Sequence, residues 1–313
     1  MINSMKIILK IIFILLITKL SSQSGLQLTE YYLSPIQHNP SYVGVTDGYY
    51  LKGNYSSQWQ GFEDSPNTQL FEGHYKFNNK NFAAGLSVLN DEFGIFKNLN
   101  LEANFGVHLI TSTDLGLSFG VKVGVNSFNL NFSNINIYDP SEYIFNKNLV
   151  SSSKPTFGSG FYLYGKNWFA GISSPNLLSN SIDDEIDRVI LVRRSQIFST
   201  FGYNFILNNF LKLNSQILTR SVKGSPFSYL ISNKLIYQNK FSFALHFQPN
   251  TLTGLMFFLP ITNKIRVTYS KNFYSKSISK IKSGNSFGVS FQIFKQKGNW
   301  SDKEELDKPF MIR

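Results

Sequence analysis

The strongest constraint on the fold is a two-residue alternation of apolar and polar side chains along many segments of the chain. From Leu99 to Leu109 every odd-numbered residue is apolar, and the residues between them are Asn, Glu, Gly and His. Residues 115–126 and 287–293 repeat the pattern. Because successive side chains of a β-strand point to opposite faces, the alternation predicts strands with one apolar face and one polar face.

Weaker forms of the alternation recur along the rest of the chain. Together they predict about fourteen strands of roughly ten residues, the length that a tilted strand needs to cross a bilayer. The further segments are residues 49–58, 68–77, 82–90, 156–164, 167–174, 195–205, 210–220, 227–237, 240–248, 252–259 and 264–271.

The connections between these segments alternate in length. Tight turns are expected at residues 78–80, 111–114, 165–166, 207–209, 238–239 and 260–263. Longer connections are expected at residues 59–67, 91–97, 127–155, 175–194, 221–226 and 272–284, with 249–251 as the one short member of that set. Outer-membrane barrels alternate in this way, because their periplasmic turns are tight and their outer loops are long. An even strand count also predicts that both chain ends lie on the periplasmic side.

A soluble sandwich or propeller would alternate too, but a sandwich has shorter strands. Closure into a barrel removes every sheet edge, as a lipid environment demands. We therefore predict an all-β fold, a transmembrane outer-membrane β-barrel of about 14 antiparallel strands. The aromatic content of 16% suits girdles at the two membrane interfaces. The candidates are Tyr49, Tyr50, Trp59, Phe62, Trp168, Phe169, Tyr203, Tyr237, Tyr269 and Phe273.

The domain organisation follows from the two ends of the chain. Residues 1–23 have the charged, apolar and small-residue regions of a secretory signal peptide, and Lys19 interrupts the end of an apolar run that is short for an uncleaved anchor. We expect cleavage near Ser22 or Gln23. The remaining divisions are an N-terminal periplasmic segment over residues 24–48, the barrel over 49–294 and a charged C-terminal periplasmic tail over 295–313.

The sequence offers little for catalysis or for binding a cofactor. There is no cysteine, and the four histidines lack metal-ligand spacing. His108 and His246 are on polar strand faces and should point into the lumen. The acidic run at residues 183–187 fits a solvated loop tip better than a calcium loop. We therefore expect no enzyme activity and no catalytic, cofactor or metal site.

The net charge of +11 raises the question of a nucleic-acid partner. Lys and Arg are scattered singly and build no basic helix, so we expect none. On the barrel wall, Gly116, Gly120 and Gly124 mark positions where the wall is thin.

Six short motifs follow one another along the chain in an order that resembles the PorP/SprF family of outer-membrane proteins of the type IX secretion system, found in the Bacteroidota. The first runs from Tyr31 to Gly44 with Asn39-Pro40 inside it. The others are Gln58-Trp59-Gln60-Gly61-Phe62 with Ser65-Pro66-Asn67-Thr68-Gln69, Asn90-Asp91 with Gly94, Pro155-Thr156-Phe157-Gly158-Ser159-Gly160, Ser174-Pro175-Asn176-Leu177 and Gly224-Ser225-Pro226. Ser56-Ser57 departs from the family, in which an Arg-containing pair is common.

The resemblance implies a non-enzymatic role in secreting proteins, or in retaining them at the cell surface, including large adhesins used in gliding. It also implies two kinds of partner, a secreted cargo protein and periplasmic components of the type IX system, while the predicted barrel itself implies contact with outer-membrane lipids. Most of the matching motifs fall on the long-loop side of the predicted barrel.

Two groups of residues are candidate sites. Asn39, Pro40 and Gly44 precede the first strand and belong to the periplasmic mouth or to an internal plug. The other group is a candidate surface for docking a partner, with Trp59 serving either as a membrane anchor or as a contact. Its members are Trp59, Phe62, Pro66, Gln69, Asn90 and Asp91.

The competing function is a passive outer-membrane channel or transporter for small or apolar solutes. Charged lumen rings or a long N-terminal plug would indicate it. The stretch before Tyr49 looks short for a plug, and the lumen-facing positions are Gly, Asn and Ser more than charged residues. A barrel hydrolase would need a recognisable Ser–His site, and none stands out.

Overall fold

The computed structural model describes residues 27–45, 48–62, 64–77, 81–112, 115–131, 149–183, 189–238, 240–275 and 283–293. The predicted signal peptide, the C-terminal tail and most of the acidic run at 183–187 lie outside these residues. Across the described part of the chain, no helix is long and apolar enough to cross a membrane.

The chain forms a closed antiparallel barrel of 14 strands in which the first strand pairs with the last. A separate two-stranded sheet pairs Asn180–Asp183 with Val189–Arg193. The strands are β1 (Tyr49–Ser57), β2 (Asn67–Lys76), β3 (Phe82–Phe93), β4 (Phe96–Ser112), β5 (Leu115–Asn131), β6 (Leu149–Gly165), β7 (Trp168–Ser174), β8 (Asn180–Asp183), β9 (Val189–Arg193), β10 (Gln196–Ile206), β11 (Leu211–Val222), β12 (Ser228–Tyr237), β13 (Phe241–Gln248), β14 (Leu252–Pro260), β15 (Ile265–Tyr274) and β16 (Ser283–Ile293).

The strand count predicted from the sequence is confirmed, but one predicted long loop is wrong. Asp91 and Lys97 lie inside β3 and β4, which pair as far as Phe93 and Phe96 and leave a two-residue turn at Gly94-Ile95. Gly94 has a φ of 54°, which a tight turn of this kind requires. β4, β5 and β6 have 17 residues each, more than a membrane crossing needs, so this part of the wall extends beyond the bilayer.

The two faces of the wall follow the sequence alternation. Phe119 is 40% exposed on the outer face, while its neighbour Ser118 is fully buried on the lumen side. Two residues predicted for the aromatic girdles face the inside of the barrel instead. Tyr50 lines a cleft inside the barrel, and Phe169 is buried against Tyr162. Since neighbouring residues of a strand face opposite ways, Tyr49 and Tyr50 cannot both face lipid.

The segment before β1 fills the barrel. It forms a helix, α1 (Leu28–Leu33), and two single 3₁₀ turns, η1 (Pro35–Gln37) and η2 (Pro40–Tyr42). Almost every residue from 28 to 44 is buried. We call residues 27–45 the lumen plug. Residues 27–45 of the predicted periplasmic segment therefore lie inside the barrel. The stretch was also predicted to be too short for a plug, and this was wrong, because short turns pack more chain into the lumen than an extended strand.

The lumen plug runs from the outer-loop end of the barrel to the turn end. Gln27 donates to Gln58, just after β1, and to Tyr274, the last residue of β15. At the other end, His108, near the end of β4, lies 2.7 Å from the carbonyl oxygen of Val43. The described chain therefore begins at the outer-loop end, whereas both chain ends were expected on the periplasmic side. It then reaches β1 from the turn end, as the sequence predicted.

Candidate docking loop and lumen plug

The first candidate site is the outer loop, residues 58–66, which joins β1 to β2. Backbone hydrogen bonds tie it to the rim: Gln60 N–H donates to Ser283 O at 2.9 Å, and Gly94 N–H donates to Asp64 O at 3.1 Å. Trp59, Gly61 and Asp64 have φ angles of 51°, 91° and 56°. Left-handed φ angles are rare for a residue such as Trp. The loop is therefore held in a defined and strained shape by its neighbours.

Aromatic rings cluster where the outer loop meets the ends of β3 and β4. Trp59 meets Phe93 edge to face at 5.3 Å between ring centroids, and Phe93 stacks on Phe96 at 6.4 Å. Phe62 is 46% exposed at the loop tip. We call Trp59, Phe62, Phe93 and Phe96 the rim cluster. Edge-to-face pairs of this kind add about 0.5–1.5 kcal/mol beyond the area they bury.

The six residues predicted for docking lie in one corner, but they do not share a face. Gln69 and Asn90 are partners across β2 and β3, on the outward face. Pro66 is buried where the loop meets β2. Asp91 faces the lumen and accepts a 2.7 Å hydrogen bond from Thr68 Oγ1. Trp59 and Phe62 are thus the accessible members on the loop itself, while Gln69 is exposed on the outward face of β2.

The second candidate site is the Asn-Pro motif, which η2 places inside the barrel. The Asn39 side chain accepts hydrogen bonds from Ser41 N–H at 3.1 Å and Ser41 Oγ at 2.6 Å, and it donates to Phe161 O at 3.2 Å. Pro40 sits at the first position of the 3₁₀ turn, where its fixed φ fits. Asn39 therefore both caps the turn and joins it to β6.

Glycines of the wall make room for this turn. Gly120 of β5 and Gly160 of β6 are direct partners across the sheet. A Cβ at Gly120 would overlap the backbone of Ser41, and a Cβ at Gly160 would overlap the Asn39 side chain. Gly44 has a φ of 76° and lies against Ala83. The position around Gly120, where a thin wall was expected, is therefore a site of close contact between the wall and the plug.

A row of charged side chains on β1, β2, β4 and β5 also holds the plug. Lys52 donates to Leu33 O and, at 2.7 Å, to Ser34 Oγ. Lys122 donates to Gln37 O at 3.0 Å and pairs with Glu102 at 2.7 Å. On β2, Glu72 accepts from Gln37 Nε2 at 3.4 Å. Hydrogen bonds to plug atoms compensate part of the cost of burying these charges.

Two titratable groups of the plug itself are shifted by burial. Glu30 accepts hydrogen bonds from Ser56 Oγ and Asn54 Nδ2, both at 2.9 Å, but burial outweighs them and raises the pKa of Glu30. Burial, and secondarily the charge of Lys122, lowers the pKa of His38 to about 3. His38 is therefore neutral at physiological pH.

The charged residues of the lumen are not among the sites predicted from the sequence. Lys52, Glu72, Glu102 and Lys122 all occupy polar positions of alternating strands, and this was the available signal. Their contact depends on strand register and on the plug.

As expected, His108 and His246 point into the lumen, where His246 lies 2.7 Å from Ser232 Oγ. Within the described ranges, no group of three His, Asp or Glu residues could hold a metal ion.

The model of the family described as type IX secretion system membrane protein PorP/SprF matches residues 20–293. The toluene transporter TbuX of Ralstonia pickettii is 10% identical, with a TM-score of 0.53 over 82% of this chain and 92% of that chain. The CymD monoaromatic hydrocarbon channel is 10% identical, with a TM-score of 0.52 over 88% and 95%. At these identities the similarity concerns the barrel fold alone. A search of curated proteins found no match.

Proposed function

This chain belongs to the PorP/SprF family of type IX secretion system membrane proteins, and from that premise we propose that it supports the secretion or cell-surface attachment of cargo proteins such as gliding adhesins. The protein is an outer-membrane β-barrel. We infer that its role is non-enzymatic: it binds other proteins of the system and performs no chemical step.

The observation that carries the proposal is the occupied lumen. The plug contacts β1, β2, β4, β5 and β6 through the hydrogen bonds described above, and through Thr29 and Asn272 it also reaches β15. Three buried charges of the wall, those of Lys52, Glu72 and Lys122, are hydrogen-bonded to plug atoms. A barrel filled by its own chain is better suited to presenting surfaces to partners than to passing solute.

We propose the rim cluster as the surface for a secreted cargo protein. Its rings lie at the outer-loop end, where cargo arrives at the cell surface. The loop is already held by Ser283 and Gly94, so binding costs little ordering of the chain. Exposed aromatics such as Phe62 bury large apolar areas on contact. Gln69 and Asn90 border the cluster on the outward face, whereas Pro66 and Asp91 support it from within.

The periplasmic components of the system would meet the opposite end of the barrel. There the turns between strands are short, and the C-terminal tail follows Ile293. We retain the signal peptide at residues 1–23 and the tail at residues 295–313 as parts of this proposal.

The experiment is a double substitution, Trp59→Ala with Phe62→Ala, in cells in which the surface proteome is measured by mass spectrometry. We expect normal barrel abundance and heat-modifiable gel migration, with less cargo retained at the surface. Phe227→Ala is the matched control, since Phe227 is 63% exposed in a different outer loop. Normal cargo retention in the double variant, or an equal loss in the control, would contradict docking at the rim cluster.

A passive channel remains the second candidate, and one observation favours it: the lumen is lined by charged side chains, a feature by which a transporter would be recognised. Its fold is also that of the two transport proteins named above. Single-channel conductance of the purified protein separates the candidates. Steady conductance by the intact protein would support the channel, and silence would support the filled lumen.

A further inference from the structure

The first residues of β6 project beyond the membrane at the outer-loop end of the barrel. On the outward face of the neighbouring strand β5, the side chains are apolar as far as Val125 and polar from Ser127 onward. These two residues pair with Pro155 and Ser153 of β6. Because the lipid-facing band of a barrel is apolar, the change in polarity marks the membrane boundary. Residues 149–154 of β6 therefore lie on the aqueous side of it.

One edge of this projecting segment has no neighbouring strand. β7 pairs with β6 only over residues 159–164 of β6. Just beyond that ladder, Leu177 N–H donates to Phe157 O at 2.7 Å. A Cβ at Gly158 would overlap Pro175, so the chain that leaves β7 crosses the lumen face of β6 and does not continue along its edge.

The backbone groups at this edge can be assigned from the Phe157 contact. Along a strand, every second residue directs its N–H and C=O to the same side, so Ser151, Ser153 and Pro155 point the same way as Phe157. Proline has no N–H and is tolerated at a position of this kind on an edge strand. Ser151 and Ser153 are exposed, and among the described residues no backbone group bonds to them on this side. Two N–H and two C=O groups are therefore available to a further strand.

We propose that an extended segment of the secreted cargo protein adds to β6 at this edge as a further strand. An extended backbone is the ligand whose donors and acceptors repeat with the matching two-residue spacing. Side chains of the edge contribute little to such a contact, because the main chain supplies the hydrogen bonds.

The edge is continuous with the surface proposed above for cargo. Phe96 of the rim cluster pairs with Leu130 of β5, and Leu130 pairs with Val150 of β6. Neighbouring strands are about 4.8 Å apart, so only two strand spacings separate Phe96 from the edge strand. A cargo protein that contacts the rim cluster can therefore reach the edge as well. This mode of contact rests on the role in cargo attachment proposed above.

The first test is residue-resolved amide hydrogen exchange of the purified barrel in micelles, without cargo. We expect the amides of Ser151 and Ser153 to exchange at least about tenfold faster than those of Ser152 and Lys154, whose N–H groups point to β5. Equally slow exchange at all four positions would mean that the chain's own residues cover the edge, and it would overturn the proposal.

The second test changes the edge in cells whose surface proteome is measured by mass spectrometry. Ser151→Pro with Ser153→Pro removes both N–H donors, and Ser151→Ala with Ser153→Ala is the matched control that keeps them. We expect the proline variant to reduce the cargo retained at the surface at least about fivefold, and the alanine variant to retain it normally. Heat-modifiable migration confirms that each barrel is folded.

A further variant applies if the proline variant does not accumulate as a folded barrel. Ser151→Lys with Ser153→Lys leaves the backbone intact, and lysines on an edge strand oppose pairing with another chain, so the same loss of cargo is expected. Normal cargo retention in a folded edge variant, or an equal loss in the alanine control, would overturn the proposal. An unchanged surface proteome after deletion of the whole gene would instead contradict the role in cargo attachment itself.

Discussion

The lumen plug and the outer loop are both built from aromatics, Pro, Gln and Gly, yet they are held in different ways. The plug is buried and is held by side-chain hydrogen bonds from many strands, including two buried lysines. The outer loop is held by a few backbone hydrogen bonds and by the Trp59–Phe93 contact, and it leaves Phe62 exposed. The difference teaches that similar motifs can serve folding in one region and remain available for binding in another.

The largest loss of stability is expected when Lys122, which holds the plug, is removed. Lys122→Ala leaves Glu102 buried without its cation and frees the carbonyl oxygen of Gln37. We expect the free energy of unfolding to fall by about 3–5 kcal/mol, as measured by denaturant titration in micelles. Glu102→Gln in the same chain should recover part of the loss, and a loss below about 1 kcal/mol in Lys122→Ala would mean that the pair does not hold the plug.

Gly120→Val tests the fit between plug and wall. The new side chain would overlap the backbone of Ser41, which cannot move as a flexible side chain can. We expect a loss of about 1–3 kcal/mol in unfolding free energy, together with increased conductance as the plug shifts. Gly53→Val is the control, since a Cβ at Gly53 meets no atom within 4 Å. If both variants behave alike, the wall glycines do not position the plug.

A smaller effect should come from Glu30 and should depend on pH. Burial raises its pKa above the ordinary value of 4.5, so the folded state binds the proton more tightly than the unfolded state. This contribution to stability is fully present below pH 4.5 and is lost as the pH rises through the folded-state pKa. Glu30→Gln should flatten the profile of unfolding free energy against pH on the alkaline side of 4.5, and an unchanged profile would rule out this role.

The smallest change is expected in the outer loop. Trp59→Ala removes one edge-to-face contact, so the unfolding free energy should fall by no more than about 1 kcal/mol. The same denaturant titration measures it. A loss as large as that of Lys122→Ala would show that the loop is part of the folding core, and the contrast between the two regions would then disappear.

Most of the barrel could be predicted because its determinants are local. The alternation at Leu99–Leu109 indicates which side chains face lipid. The count of such segments, each about long enough for one crossing, indicates the number of strands. The Gly94-Ile95 turn was missed because Asn, Asp and Gly near residue 91 suggest a loop, whereas pairing with β4 continues the strand. Here the hydrogen bonds of the sheet override local turn preference.

The sequence by itself determined the closed sheet, the lipid-facing positions and the family motifs. Only the tertiary structure decided what fills the lumen. The side chains of Lys52, Glu72 and Lys122 come from different strands, and their meeting with Leu33, Ser34 and Gln37 depends on register and on the path of residues 27–45. Periodicity reports the face on which a side chain lies, but it carries no information on its partner across the barrel, because that contact joins residues far apart in the chain.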